Sequence, residues 1–387
     1  MAAHFTERAR SSASQRNPEG LRADFERWLS NRQAGAAVAE AEIRSSSGMS
    51  SETVLIDAGW DGEAHRLVVR IAPQPHAAPV FPRSDIGQDM RYQFLTLRRL
   101  GSQVIRPAVP RVLWCEDDPH PMGAPFFVMS RIEGQSPAGG WGRPFDAMPY
   151  NVDSWVSRAS PADRQRMQRA TLEQLARVHS AAPSDFAFLD RRRPGESALG
   201  AHVRHTADYY ASIRRGGVAV PLIERGLAWL REHWPEESGP VVSWGDARIG
   251  NIVYRDFSPV ALLDWEMASL GPRELDLGWM IFFHRLFEDL AHSAGLPGMP
   301  DFLRRDDVAA GYADITGYRP AHLEFYTAYA ALQHAVIMVR NRLRAMAFGQ
   351  AEPPDDPDAM IMHPETLAAM LDGTYWTALD SEMTGGT

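Results

Sequence analysis

The segment VVSWGDARIGNIVYRD, residues 241–256, constrains this chain more than any other stretch. Two apolar, strand-like runs flank a polar loop in which Asp246 precedes Asn251 by five residues. The pattern continues as ALLDWEMASLGPRELDLGWM, residues 261–280, where Asp264 closes another apolar run and Glu266 follows two residues on. Residues two apart on an extended chain project from the same face. Asp246, Asn251, Asp264 and Glu266 thus form a set of oxygen donors at the ends of short strands. Hard donors of this kind, without a His or Cys set, suit Mg²⁺, which takes one or two protein carboxylates together with substrate phosphates.

A chain of 387 residues is long enough for two lobes with separate cores. Its net charge of −9 argues against nucleic acid as a partner, because phosphate binding needs a basic surface. The single cysteine, Cys115, excludes an intrachain disulfide and fits a reducing cytosol. No secretory leader or membrane-spanning run is legible, so a soluble, cytoplasmic protein with no membrane partner is expected. All 40 basic residues are arginine. The absence of lysine excludes a Walker A loop and Schiff-base chemistry.

Asn17-Pro18 followed by Leu21, Phe25, Trp28 and Leu29 predicts a capped amphipathic helix. Three β-type runs, 39–44, 52–58 and 65–71, predict an antiparallel meander. Helical spacing returns over 89–100, and 111–115 and 125–132 are strand-like. The Gly/Pro-rich stretch 133–144 reads as a linker. Beyond it, a helix is expected from Ser160-Pro161 to about His179, and another through Ile223, Leu227, Leu230 and Trp234, stopped by Pro235. The expected organisation is a lead-in over 1–20, a nucleotide-binding N-lobe over 21–132 and a helical C-lobe over 133–387 carrying the catalytic loop.

The combined pattern of residues 241–280, G-D-x-x-x-x-N, then D-W-E, then D-L-G-W, resembles the aminoglycoside phosphotransferase family of the protein-kinase-like fold. Within that family it is most similar to the branch found as kinase-like domains of some acyl-CoA dehydrogenases. The resemblance implies an α+β, two-lobed fold with a small antiparallel-sheet N-lobe and a mainly helical C-lobe. It implies ATP, with GTP not excluded, and Mg²⁺ as cofactors, and a small-molecule hydroxyl as phosphoryl acceptor. Asp246 would then be the catalytic base, and Arg248 a contact to the transferring phosphoryl group. Asn251 and Asp264 would hold Mg²⁺, with Glu266 supporting a second metal. Ser47, Gly48, Ser50 and Ser51 would face the nucleotide phosphates, as would Arg70. Met129 would line the adenine pocket, with Ser130 offering a carbonyl and Ile132 an amide. Asp276 would prop the catalytic loop from beneath. Phe283, Tyr326, Tyr329 and His334 are candidates for lining the acceptor pocket.

Three positions depart from the family's pattern. Arg70 stands where a strand lysine is usual, and Gln93 where its helix glutamate would be. Arginine keeps the charge but differs in bulk and fork geometry. Trp244 occupies the place of a loop-bracing histidine. These departures leave a second function open, a nucleotide-binding pseudokinase with a regulatory or scaffolding role.

Overall fold

The computed structural model describes residues 17–44, 51–73, 90–137 and 150–379. Helix α1 (Pro18–Ser30) begins as its sequence demands: Asn17 is extended, and its Oδ1 accepts the Glu19 amide at 3.1 Å. Such a cap satisfies one of the orphan donors of a helix start, and proline at the first helical position sacrifices none. Leu21, Phe25, Trp28 and Leu29 are buried against one face of a five-stranded antiparallel sheet. Its strands are β1 (Ala37–Arg44), β2 (Glu52–Trp60), β3 (Glu63–Ile71), β4 (Val112–Glu116) and β5 (Phe126–Ser130), in the order β1-β2-β3-β5-β4. The β2–β3 hairpin turns on Asp61 and Gly62, both at positive φ (53° and 78°), the conformation that Asp-Gly tolerates best.

Strand alternation divides the sheet between two cores. Val54, Ile56, Val69 and Ile71 pack on the α1 side, whereas Leu55, Val68, Phe127 and Met129 join the large core on the other. That second face meets helix α2 (Met90–Gly101), whose Phe94 and Leu97 are buried there. Functional side chains on this face are thereby turned toward the helical lobe.

Beyond β5 the chain is pinned at once to the helical lobe: Gln135 and Tyr254 exchange two backbone hydrogen bonds of 2.8 Å. Gly134 has φ +154°, and a Cβ there would lie 2.6 Å from the Tyr254 carbonyl oxygen, so the crossing requires glycine. The helical lobe contains α3 (Pro161–His179), α4 (Ala198–Arg215), α5 (Pro221–Glu232), α6 (Glu274–Ser293), α7 (Arg305–Thr316), α8 (Leu323–Ala347) and α9 (Pro364–Leu371). The Ser160 cap of α3 forms as expected, its Oγ accepting the Asp163 amide at 3.1 Å.

Helix α5 ends earlier than its apolar spacing predicts. Trp234 lies beyond it, 39% exposed, with its indole donating to Glu237. The residue before a proline is disfavoured in the helical region, and Trp234 precedes Pro235. Two short antiparallel pairs interrupt the helices: β6 (Val241–Ser243) with β9 (Ser269–Gly271), and β7 (Ile252–Arg255) with β8 (Ser258–Leu262). The architecture is α+β and two-lobed, a small antiparallel-sheet lobe on a mainly helical one. Among the described residues, no helix is long and apolar enough to cross a membrane.

Candidate active site

The loop between β6 and β7 is built on a buried carboxylate. Asp276, in the first turn of α6, is fully buried and accepts four contacts. Ser243 Oγ donates to it at 2.9 Å, the Trp244 and Gly245 amides at 2.8 Å, and His179 Nε2 lies 3.0 Å away. His179 Nδ1 is in turn 2.7 Å from the Tyr312 hydroxyl. A buried carboxylate is tolerable only when its lone pairs are filled in this way. Gly245 has φ +88°, and a Cβ would stand 2.4 Å from the Met267 carbonyl oxygen, so only glycine makes this turn. Asp276 thus props the loop, as expected. His179, expected only as the end of a helix, is a buried member of the same network.

On this support Asp246 is held by three donors. Asn251 Nδ2 donates to Oδ2 at 2.5 Å, Arg248 Nε reaches Oδ1 and Oδ2 at 3.0 and 3.3 Å, and the Trp279 indole donates to Oδ1 at 2.7 Å. Arg248, expected at the phosphoryl group, therefore pairs with Asp246 here. Its guanidinium lies 5.4 Å from the Phe283 ring centroid, and Phe283 packs edge-on to His334 at 5.0 Å. Two of the acceptor-pocket candidates, Phe283 and His334, thus stand beside the loop. Tyr329 instead spans to α4, its hydroxyl 2.6 Å from His202 and 2.9 Å from Thr206, and Tyr326 is buried.

The second carboxylate is tied to the first through backbone and indole. The Leu263 amide donates to the Asn251 carbonyl at 2.9 Å, and the Trp244 indole donates to the Leu263 carbonyl at 2.8 Å. Trp244 therefore braces the loop against the Asp264 segment, which answers the concern raised by its replacing a histidine. Asp264 itself has φ +61°, a conformation that aspartate tolerates better than most residues. Its Oδ1 accepts Arg70 Nη2 at 3.0 Å, an ion pair spanning the two lobes. Arg70 also donates to Thr53 Oγ1 at 3.1 Å. The strand arginine is therefore anchored on β2 and on the Asp264 segment.

Arg70, Gln93, Met129 and Asp264 line one solvent-open cleft, with Phe127 and Leu263 among its walls. The cleft lies between the sheet and the 262–265 segment. Ser130 and Ile132 are not among its lining residues. The Ser130 amide donates to the Arg111 carbonyl at 2.8 Å, while the Arg111 amide donates to the Ser130 hydroxyl at 3.1 Å. In a regular ladder that amide would go to the Ser130 carbonyl. Ser51 is buried just before β2, whereas Ser47, Gly48 and Ser50 lie outside the described residues. Glu266 is half-buried in the turn after Asp264. Among the described residues, no three His, Cys, Asp or Glu side chains gather as a metal centre.

The donor chemistry still fits Mg²⁺. The Asn251 amide nitrogen is engaged by Asp246, which directs its oxygen elsewhere, and Asp264 has a second carboxylate oxygen beyond the one that meets Arg70. A magnesium ion held by one amide and one carboxylate completes its shell with phosphate and water oxygens. Sequence reading missed Trp279, whose contact to Asp246 spans 33 residues. The available signal was its place one helical turn after Asp276, on the same face.

A sheet lobe over a helical lobe, with a propped Asp-to-Asn loop and a facing aspartate, defines a kinase-like phosphotransferase scaffold. Residues 43–304 match the phosphotransferase enzyme family, and the chain belongs to it. Its relatives include a probable acyl-CoA dehydrogenase of Arabidopsis thaliana, 26% identical over 75% of this chain and 34% of that protein. Acyl-CoA dehydrogenase family member 10 of Mus musculus is 23% identical over 59% of this chain and 21% of the relative. The chain thus spans about a third or less of the length of these relatives. Among solved structures, a candidate aminoglycoside phosphotransferase from Ralstonia eutropha superposes with TM-score 0.62 at 18% identity, covering 92% of this chain and 98% of that one. A macrolide 2′-phosphotransferase type I gives TM-score 0.54 at 17% identity, covering 94% and 98%. An aminoglycoside phosphotransferase solved with ADP and hygromycin B gives 0.54 at 13%, covering 90% and 97%. These structural likenesses concern the fold.

Proposed function

We propose that this protein transfers the γ-phosphoryl group of ATP to a hydroxyl of a small molecule, with Mg²⁺ bound and Asp246 as catalytic base. The observation that carries this reading is the linkage of three groups into one unit. Asn251 donates its side-chain amide to Asp246 and accepts, through its backbone carbonyl, the amide of the residue before Asp264. Phosphoryl transfer passes through a loose transition state, so positioning and charge neutralisation supply most of the catalysis. Asp246 orients the acceptor hydroxyl and receives its proton as the new O–P bond forms and the bond to the β-phosphate breaks, releasing ADP. Asn251 and Asp264 hold Mg²⁺, which when bound neutralises charge on the phosphates. Arg70 faces the same cleft and reaches the phosphates when they enter. Adenine sits against Met129, with the Ser130 carbonyl and Ile132 amide as its polar partners. The diversion of the Arg111 amide to the Ser130 hydroxyl supports that assignment. ATP is preferred here because solved relatives of this fold hold ADP or AMP-PNP, and GTP is tested alongside it. A cytoplasmic setting goes with the single cysteine.

One observation favours the second reading, a nucleotide-binding pseudokinase. Arg70 sits on the carboxylate assigned to the metal. A phosphoryl-transfer assay with Mg-ATP or Mg-GTP against a panel of sugars, amino alcohols, hydroxy acids and aminoglycosides separates the two. Turnover that depends on acceptor and disappears in Asp246→Ala supports the enzyme. Nucleotide binding without any Asp246-dependent turnover supports the pseudokinase, and failure to bind either nucleotide overturns both.

A further inference from the structure

The D-L-G-W turn of α6 does more than prop the loop backbone. Asp276 and Trp279 are three residues apart, hence neighbours on one helix face. Asp276 fixes the loop through the Trp244 and Gly245 amides, and Trp279 fixes the side chain that follows, donating its indole N–H to Asp246 Oδ1 at 2.7 Å. Between them, Gly278 sets the depth of the helix. A Cβ there would lie 2.7 Å from the Tyr326 backbone carbon, so α6 rests directly on the backbone of α8. The indole is buried and packs on Phe283 with ring centroids 5.0 Å apart.

The three donors to Asp246 are not equivalent. Asn251 and Arg248 belong to the same loop as Asp246 and move with it, whereas Trp279 belongs to a packed helix. A carboxylate offers about four acceptor directions. Asn251 takes one on Oδ2, Trp279 one on Oδ1, and Arg248 leans between the two oxygens. The Arg248 contacts, at 3.0 and 3.3 Å, are the longest of the set, so the place of Arg248 is the one an incoming hydroxyl takes. We infer that Trp279 is a positioning residue of the phosphotransfer site, its indole N–H holding the Asp246 carboxylate in the orientation that receives the phosphoryl acceptor. This inference rests on the reading of Asp246 as the catalytic base.

Trp279→Phe tests it, because phenylalanine keeps a ring against Phe283 and removes only the donor. With an acceptor identified by the panel, kcat falls about ten- to hundredfold, the effect of losing a buried hydrogen bond to a charged group. KM for Mg-ATP and the melting temperature stay close to wild type. In ¹⁵N-tryptophan-labelled protein, the indole cross-peak that Trp279→Phe removes shifts in Asp246→Ala. An unchanged kcat in Trp279→Phe overturns the inference, as does a loss that tracks with melting temperature or with KM for ATP. An indole resonance indifferent to Asp246→Ala overturns it as well. If no panel member is phosphorylated, the proposed activity fails, and the indole resonance alone decides whether Trp279 holds Asp246.

Discussion

Asp246 takes its hydrogen bonds from within the helical lobe, from Asn251, Arg248 and Trp279, whereas Asp264 reaches across the cleft to Arg70 on β3. Two carboxylates in one site are thus held by different parts of the molecule. The geometry around Asp246 is independent of how the lobes sit, because Asp276 and α6 supply it locally. The backbone around Asp264 is likewise held in the helical lobe, but its carboxylate depends on the sheet lobe through Arg70. Preorganisation of the first and adjustability of the second suit the proposed reaction, in which a charged nucleotide enters between the lobes before transfer.

The comparison is sharpened first at its foundation. Asp276→Ala strands the Trp244 and Gly245 amides and the Ser243 hydroxyl in a buried site, and costs about 3–5 kcal/mol by urea denaturation. A loss below about 1 kcal/mol would show that the loop does not depend on its helix.

The helical lobe should also weaken in acid. Burial pushes the His363 imidazole down to about 4, while the Ala331 carbonyl it meets at 3.0 Å opposes that shift. In the unfolded chain the ring protonates near its ordinary value of about 6.5, so between those limits the unfolded state binds the extra proton. Stability is therefore full above about pH 6.5 and falls, by up to about 3 kcal/mol, as pH drops toward 4. His284 and His202, pushed down to about 3 chiefly by burial, act in the same direction. Urea midpoints at pH 7 and 5 check this, and His363→Gln should flatten the slope.

Gly245→Ala attacks the loop without removing a hydrogen-bonding group. The φ of +88° and the Met267 carbonyl force a local shift costing about 2 kcal/mol, read from the same denaturation curves. The smallest change in stability belongs to the lobe-spanning pair. Arg70→Gln should cost only about 1 kcal/mol, since both partners keep some exposure. A much larger loss would mean that the Asp264 side is as rigidly built as the Asp246 side.

The fold was legible because the 241–280 block, the Asn17-Pro18 and Ser160-Pro161 helix starts, and the Asp61-Gly62 turn each impose local geometry that tertiary packing does not override. Asp276 was legible through the resemblance of its D-L-G-W run to the family, which implies a carboxylate propping the loop. Arg70 was legible as a cleft residue, but its partner was not. Which carboxylate it meets depends on how two lobes, far apart in sequence, close on each other. His179 and Trp279 were missed for a related reason, since a histidine at a helix end and a tryptophan in an apolar helix look like cap and core. Their polar atoms acquire meaning only once Asp276 and Asp246 are placed against them.

The division of labour between the two aspartates is the central claim, and calorimetric titration of Mg-ATP into Asp246→Ala and Asp264→Ala tests it most directly. The account predicts that Asp246→Ala binds Mg-ATP like wild type, whereas Asp264→Ala loses at least about tenfold in affinity, about 1.4 kcal/mol. Undiminished Mg-ATP affinity in Asp264→Ala, or a large loss in Asp246→Ala, would contradict it.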